Sequence, residues 1–142
     1  MATRNGSAEW RGDLKGGGGT VKVGDGVFEG NYSFSSRFED GEGTNPEELL
    51  GAAHAGCFAM ALSLAQTEAE HPPESIHAEA RVHLRIVEGL PTIAKIDLDV
   101  TGSVPGLEED AFRSYAEKAK DGCVVSRALA GVPEITLDAR LA

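Results

Sequence analysis

Residues 44–65 read TNPEELLGAAHAGCFAMALSLA, and this stretch decides the fold. After its two glutamates, the only clearly polar side chains are those of His54 and Ser63. A helix that is apolar nearly all round must be covered on most of its faces. A membrane span needs about 20 apolar residues, and a segment with two glutamates and an internal histidine is a poor candidate. The sequence therefore predicts a long, buried central helix and no membrane partner.

The start of this helix is well specified. Asn45 is a favourable N-cap, Pro46 suits the first helical position, and Glu48 occupies the position of a capping-box carboxylate. Gly51 and Gly56 fill little space in a core, but they allow another helix or strand to approach closely. We therefore expect the helix to begin at Pro46 and to permit close packing along its small residues.

Three short strands are predicted before the helix, from hydrophobic alternation and from glycine-rich turns, at residues 9–14, 20–23 and 32–38. Tyr32, Phe34 and Phe38 would share one face of the third strand. Arg37 would then lie near the end of that strand, and a short polar loop separates it from Glu47 in the first turn of the helix. We expect the side chains of Arg37 and Glu47 to be able to meet.

A β-hairpin is predicted after the helix. Apolar and polar residues alternate from Ile76 to Ile86 and again from Ala94 to Thr101, so each strand has one buried face. With the turn at residues 89–90, two cross-strand pairs of opposite sign are expected: His83 with Asp97, and Arg81 with Asp99.

The C-terminal part contains two predicted helices and a last strand. Apolar residues recur at helical spacing from about Glu108 to Lys120, and Gly122 ends that helix. A second, short helix over residues 123–130 places Cys123 at or near a helix N-terminus, where backbone N–H groups favour a thiolate. With a final strand at residues 135–141, the order is βββ-α-ββ-αα-β. Antiparallel strands with segregated helices indicate the α+β class, in a single domain over residues 1–142.

Charge and cysteine content exclude several classes of function. The net charge of −10 argues against a nucleic-acid partner, because phosphate binding needs clustered Lys and Arg. The first residues contain no apolar run of signal-peptide type, so we expect a cytosolic protein with reduced thiols. Two cysteines cannot complete a four-ligand zinc site, and no metal is predicted. The two cysteines are either inert core residues or redox-active.

The residues alone leave the chemistry open. His54 stands three positions before Cys57, so the two can form the Cys–His pair of a thiol hydrolase or transferase, or His54 can be a packed core histidine. Leu50, Phe58 and Met60 can line a pocket for an alkyl or fatty-acid tail, or they can be core. A non-enzymatic, stress-induced binding protein whose cysteines lie in the core is the third reading.

Three motifs resemble those of the osmotically inducible protein C (OsmC) family, relatives of the organic hydroperoxide resistance proteins. They are SRFE at residues 36–39, GTNPEELLGAAHAGCF at residues 43–58 and GCVVS at residues 122–126. The resemblance runs over nearly the whole chain. It implies an OsmC-like fold with antiparallel sheets around the central helix. It also implies a cytoplasmic thiol peroxidase that reduces organic hydroperoxides to alcohols during oxidative or osmotic stress.

The resemblance also implies residue roles. Cys57 corresponds to the peroxidatic cysteine, which becomes a sulfenic acid, and Cys123 to the resolving cysteine, which condenses with it into a disulfide. Arg37 and Glu47 correspond to the charged pair that activates Cys57. A guanidinium favours the thiolate whereas a carboxylate opposes it, so Glu47 is expected to hold Arg37 through a bidentate pair. Val124 departs from the pattern, since a proline usually follows the second cysteine.

The expected partners come from the same resemblance. No metal, flavin or haem is implied, and the disulfide is reduced by an external dithiol, a lipoyl-bearing protein. The chain is expected to form an intertwined homodimer in which two central helices pack together. The small residues of the helix are compatible with such packing.

Overall fold

The computed structural model describes residues 2–142. The chain divides after Leu49 into two compact units. The observed elements follow the predicted order, with one additional short helix before the central helix, and the α+β class is confirmed. The prediction of a single domain stays a prediction.

The N-terminal unit contains a three-stranded antiparallel sheet and a short helix. The strands pair in chain order, and the elements are β1 (Gly6–Arg11), β2 (Gly18–Val23), β3 (Phe28–Tyr32) and α1 (Phe34–Phe38). The rings of Trp10 and Tyr32 pack edge to face across the sheet, 5.3 Å apart. Gly19 lies between them, and a Cβ there would come within 2.6 Å of the Tyr32 ring and 3.1 Å of the Trp10 ring. A side chain at residue 19 would therefore break this ring contact.

The third strand predicted over residues 32–38 is wrong beyond Tyr32. Ser33 and Ser36 form a reciprocal capping box, in which each side chain bonds the backbone N–H of the other, at 3.0 and 2.8 Å. This local bonding outweighs the aromatic alternation that favours a strand. Arg37 therefore lies in the last turn of α1 and not at a strand end.

The central helix, α2 (Pro46–Glu68), begins at the predicted residue. The Asn45 side-chain oxygen accepts a hydrogen bond from the backbone N–H of Glu48 at 2.8 Å, which confirms the N-cap. The Asn45 amide donates to the Ser36 carbonyl at 2.9 Å and so links the cap to α1. The Glu48 carboxylate does not complete a capping box but accepts from the Thr44 hydroxyl at 3.4 Å.

The prediction that α2 is covered on most faces is wrong within one chain. Met60 is 76% exposed and Leu64 is 60% exposed. Ala52, Ala53 and Gly56 are exposed as well. These residues recur at helical spacing, and together we call them the open face of α2.

The C-terminal unit contains a second three-stranded sheet and two helices. Its elements, besides the later part of α2, are β4 (Ser75–Val87), β5 (Leu90–Ser103), α3 (Glu109–Gly122), α4 (Val124–Ala128) and β6 (Ile135–Leu141). β4 and β5 form the predicted antiparallel hairpin. β6 pairs with β5 in parallel, so the prediction of antiparallel strands is wrong for this pair. The physical reason is that α3 and α4 supply the long crossover that a parallel pair needs.

The hairpin register differs from the prediction by two residues, and the turn lies at residues 88–89. Arg81 lies opposite Asp97 and His83 lies opposite Lys95, with the irregularity between His83 and Leu84. The His83 imidazole nevertheless reaches the Asp97 carboxylate at 2.7 Å, and Arg81 lies 3.7 Å from the Asp99 carboxylate. The predicted side-chain pairs therefore form diagonally instead of directly across.

The core of the C-terminal unit lies between α2, the sheet and α3. Its buried members are Phe58, Leu62, Leu98, Val100, Val104, Phe112, Ala116, Ala119, Cys123 and Ala139. Gly51 brings α2 against β4, since a Cβ at this position would lie 3.0 Å from the Ala80 carbonyl oxygen. The expected close approach is confirmed at Gly51.

Candidate active site

The fold brings the two cysteines together. Cys57 lies on α2 and packs against the core cluster that contains Cys123, close enough for its thiol to favour a lower pKa of Cys123. Both are free thiols, Cys57 partly exposed and Cys123 buried. Residues 66 positions apart in sequence therefore form one dithiol site, which the spacing alone does not predict.

Cys123 joins two helices. It follows the last residue of α3 and is the N-cap of α4, where its sulfur accepts a hydrogen bond from the backbone N–H of Ser126 at 3.5 Å. The predicted position at a helix N-terminus is confirmed. Val124, which replaces the expected proline, is exposed and still occupies the first position of α4.

The hydrogen bonds around Cys123 favour its thiolate. Burial by itself would raise the pKa of the thiol. Hydrogen bonds from the Ser126 hydroxyl and backbone N–H, from the Cys57 thiol and from the Val125 backbone outweigh that effect and hold the pKa below its ordinary value. The Cys123 thiolate is thus more favoured than in an ordinary buried cysteine.

His54 is fully buried on α2, and its partner is Ser126. The imidazole Nε2 and the Ser126 hydroxyl lie 2.7 Å apart, and Nδ1 has no hydrogen-bond partner among residues 2–142. Burial lowers the pKa of His54 and so favours the neutral ring. In the described chain His54 therefore makes no hydrogen bond to Cys57, and the alternative Cys57–His54 pair is wrong.

Arg37 and Glu47 meet in the N-terminal unit, as predicted. The Arg37 Nε donates to Glu47 Oε1 at 2.8 Å, with side-chain exposures of 39% and 9%. The predicted bidentate pair is wrong, because within the described residues the other carboxylate oxygen, Oε2, is buried without a partner. The guanidinium is thus held through Nε, and its terminal nitrogens are not bonded to Glu47.

Arg37 also borders an apolar pocket of about 250 Å³. Its guanidinium carbon lies 5.2 Å from the centre of the Phe38 ring, and the Phe34 and Phe38 rings are 5.0 Å apart. The pocket lies entirely within the N-terminal unit and is lined by Trp10, Leu14, Tyr32, Ser33, Phe34, Arg37 and Phe38. The sequence did not predict this pocket because residues 34–38 were assigned to a strand.

The three residues predicted as a pocket wall lie in different environments. Phe58 is fully buried in the core of the C-terminal unit, so a substrate cannot contact it in this structure, and its assignment to the wall is wrong. Leu50 is half-buried and Met60 belongs to the open face of α2. A role in substrate binding for Leu50 and Met60 stays a prediction. Among residues 2–142, no three or more His, Cys, Asp or Glu side chains are grouped as a metal site requires.

The fold and the site together define the class of this protein: it is an α+β protein with a dithiol site, formed by two neighbouring free cysteines. The model of the family described as OsmC-like protein matches residues 39–138, and the chain belongs to this family. It is 48% identical over 139 residues to peroxiredoxin OsmC of Escherichia coli (strain K12). This alignment covers 97% of this chain and 96% of that protein. The chain is 32% identical over 100 residues to an organic hydroperoxide resistance protein of Xanthomonas axonopodis pv. citri, covering 68% and 67% of the two chains.

Solved structures show the same fold. An organic hydroperoxide resistance protein from Elizabethkingia anophelis superposes with a TM-score of 0.78 at 25% identity, over 100% of this chain and 98% of the other. OhrB of Bacillus subtilis superposes with a TM-score of 0.73 at 24% identity, over 97% and 98%. The resemblance inferred from the sequence motifs is confirmed, and so is the OsmC-like fold.

Proposed function

We propose that this protein is a thiol peroxidase that reduces organic hydroperoxides to alcohols. The names of its relatives, a peroxiredoxin and organic hydroperoxide resistance proteins, support a peroxide-related function. The observation that carries the finer proposal is the contact between Cys57 and Cys123. A peroxidase that resolves its sulfenic acid within one chain needs two adjacent thiols, whereas a hydrolase needs only one.

The reaction has two steps within the protein. The Cys57 thiolate attacks the terminal oxygen of R–O–OH, the O–O bond breaks, and the alkoxide takes a proton and leaves as the alcohol. Cys123 then attacks the sulfur of the Cys57 sulfenic acid, which gives a disulfide and water. An external dithiol, for which we propose a lipoyl-bearing protein, reduces the disulfide and completes the cycle.

Arg37 and Glu47 are proposed to activate the first step. A guanidinium favours a thiolate and can also stabilise the oxygen that leaves when the O–O bond breaks. The bond from Arg37 Nε to Glu47 supports this role, because it fixes the side chain while the terminal nitrogens stay available to another anion. Glu47 acts by positioning Arg37, since its own charge disfavours a thiolate.

The pocket beside Arg37 is proposed to receive the organic part of the hydroperoxide. Its aromatic and aliphatic walls suit an alkyl chain, and each buried methylene contributes up to about 0.8 kcal/mol. A preference for organic over hydrogen peroxide follows if part of that energy is expressed in the transition state. Leu50 and Met60 are the competing candidates for this wall.

We also propose that the chain acts as a cytoplasmic homodimer. The open face of α2 is apolar or small, and a Cβ at Gly56 would meet no atom within 4 Å, so a second helix can approach closely there. Two copies packed through this face would cover Met60 and Leu64.

Intact-mass spectrometry after one equivalent of an alkyl hydroperoxide tests the function. We expect the wild type to lose two hydrogens as the Cys57–Cys123 disulfide forms. Cys123→Ser should instead gain one oxygen at Cys57, and Cys57→Ser should leave the peroxide unreduced. Peroxide consumption by a folded Cys57→Ser variant would overturn the mechanism.

A further inference from the structure

The buried pair of His54 and Ser126 has no part in the reaction outlined so far. His54 is fully buried on α2, and Ser126 is nine-tenths buried on α4. Their side chains lie 2.7 Å apart, and they come from positions 72 residues apart. Two buried polar groups that meet across the core normally satisfy each other, but this pair leaves His54 Nδ1 without a partner in the described chain. The contact satisfies His54 Nε2 and the Ser126 hydroxyl and leaves Nδ1 unpaired.

The His54–Ser126 pair lies next to the thiol of Cys123. Ser126 acts on the Cys123 sulfur twice, through its backbone N–H at 3.5 Å and through its hydroxyl. The Cys57 thiol acts on the same sulfur. His54, Ser126, Cys123 and Cys57 thus form one continuous row of hydrogen-bonding groups, with Cys57 at the reacting end.

The direction of the protons in this row follows from chemistry. A serine hydroxyl has one proton, so it stabilises a thiolate only when that proton points at the sulfur. Its oxygen must then accept from its other neighbour, here His54, whose Nε2 must carry the ring proton. A neutral imidazole with the proton on Nε2 and a bare Nδ1 satisfies this requirement. The unpartnered Nδ1 is compatible with that tautomer, because a bare Nδ1 leaves no N–H donor buried without an acceptor.

We propose that His54 is a positioning residue for the resolving cysteine: through Ser126 it directs a hydroxyl proton at the Cys123 sulfur and stabilises the thiolate that attacks oxidised Cys57. This inference rests on the proposed peroxidase function. In the step itself, the Cys123 sulfur forms a bond to the Cys57 sulfur, and the S–OH bond breaks. The displaced hydroxide takes up the proton that Cys123 released when it ionised and leaves as water, so His54 and Ser126 are unchanged at the end.

The test separates the two chemical steps in a rapid-mixing experiment with an alkyl hydroperoxide. Sulfenic acid formation at Cys57 and its conversion to the disulfide are followed separately by quenching and intact mass. In His54→Leu and Ser126→Ala the conversion should slow about tenfold, the effect of one hydrogen bond to a charged group, whereas sulfenic acid formation should stay within about twofold of wild type.

A conservative variant and a matched control exclude a merely structural effect. His54→Gln places an amide N–H near the position of Nε2 and should restore most of the conversion rate. Gln66 is also fully buried on α2 and has no hydrogen-bond partner among residues 2–142, so Gln66→Leu should leave both steps unchanged. Unchanged conversion in folded His54→Leu and Ser126→Ala, or equal slowing of both steps, would overturn the inference. A failure of His54→Gln to restore the rate would overturn it as well.

A second readout does not depend on peroxide. In a Cys57→Ser background Cys123 is the remaining thiol, so the ultraviolet absorbance of the thiolate at a fixed pH reports its ionised fraction. Adding His54→Leu or Ser126→Ala should lower that fraction, and adding Gln66→Leu should not. If the wild type forms no sulfenic acid at all, the proposed function fails. This measurement still decides whether His54 acts on Cys123, and an unchanged fraction would overturn the inference.

Discussion

At the scale of single residues, Cys123 shows how hydrogen bonds favour the thiolate of a buried cysteine. Burial in a hydrophobic core favours the neutral thiol, and an ordinary core cysteine is inert for that reason. Here Ser126, Cys57 and Val125 direct hydrogen bonds at the sulfur, and together they lower the pKa despite the burial. The same burial limits access of other thiols to the sulfur, as the proposed reaction with Cys57 requires.

Arg37→Lys tests whether one arginine performs two tasks. Arg37 holds Glu47 through Nε and keeps its terminal nitrogens for another anion, whereas a lysine ammonium is a single point charge that cannot do both. We expect sulfenic acid formation at Cys57 to slow about tenfold or more. The measurement is the second-order rate constant with an alkyl hydroperoxide.

Arg11→Lys is the matched control for Arg37→Lys. Arg11 Nε also donates to a glutamate, Glu9, at 2.8 Å, but that pair is exposed and lies on the sheet of the same unit. Its substitution should leave the rate unchanged. Equal rates for Arg37→Lys and wild type would show that only the charge of Arg37 matters.

Phe38→Ala tests which apolar surface binds the substrate tail. If the pocket beside Arg37 is that surface, the loss of the Phe38 ring should lower the rate constant for a fatty-acid hydroperoxide roughly threefold to tenfold. The rate constant for hydrogen peroxide, which has no tail, should be unchanged. Met60→Ala is the matched change on the competing wall and should alter neither constant. The reverse result would assign the substrate wall to α2, as the sequence suggested.

The sequence predicted the charged pair and both cysteines but not the residues that act on them. Arg37 and Glu47 are separated by a short loop, so their meeting follows from local spacing. His54 and Ser126 are 72 positions apart and meet only because the fold packs α2 against α4. The sequence does place Ser126 three residues after Cys123, the N-cap of α4. This spacing indicates a local hydrogen bond to the Cys123 sulfur, but it does not indicate that His54 contacts Ser126.

At the scale of elements, Asp97 ties the second sheet together. It stands on β5 and accepts hydrogen bonds from Thr136 on β6 and His83 on β4, and Lys95 lies 3.3 Å away. The hydrogen bonds from Thr136 and His83 hold the pKa of the Asp97 carboxyl well below its usual range. One carboxylate therefore links all three strands while it remains ionised.

Asp97→Asn should destabilise the protein in a pH-dependent way. Because the folded-state pKa is depressed, the stabilisation is fully present above the unfolded-state pKa, about 3.9, and is lost as the pH falls through the folded-state pKa. At pH 7 the thermal midpoint of Asp97→Asn should lie several degrees below that of wild type, and the difference should shrink below about pH 4. Thermal unfolding followed by circular dichroism measures both.

Asp138→Asn is the control for Asp97→Asn. Asp138 is an exposed carboxylate on the neighbouring strand, paired with Arg140 at 3.6 Å, and exposed ion pairs contribute little. It should show no comparable difference at either pH. A constant difference between Asp97→Asn and wild type at all pH values would mean that the shape of the side chain matters and not its charge.

The elements that the sequence predicted correctly have strong, uninterrupted patterns. The hairpin alternates over many residues, and α2 has a proline and an asparagine at its start. The errors lie where a short or non-local interaction decides: the serine capping box turned a predicted strand into α1, and β6 pairs in parallel through a crossover of two helices. The alternation of apolar and polar residues at 135–141 predicts a strand. It does not predict which strand β6 pairs with, or whether the two strands run parallel or antiparallel.

At the scale of the whole molecule, α2 buries polar as well as apolar side chains and exposes large apolar ones. Its fully buried positions include the polar His54 and Gln66, while Met60 and Leu64 are exposed. Large exposed apolar side chains grouped on one helix face indicate an interaction surface. The small residues beside them allow a second helix to come close, and a second copy of the same chain presents the same complementary surface.

The dimer prediction is tested by placing charges on this face. We expect the wild type to sediment at twice the chain mass of 14.9 kDa and Met60→Glu/Leu64→Glu to sediment as a monomer. Burying either apolar side chain contributes about 1.5–3 kcal/mol, and burying an unpaired carboxylate opposes association. Val27→Glu is the control, since Val27 is 91% exposed and does not belong to the open face of α2, and this variant should remain a dimer. Wild-type protein that sediments as a monomer, or that pellets with lipid vesicles, would show that something other than a second copy covers the open face of α2.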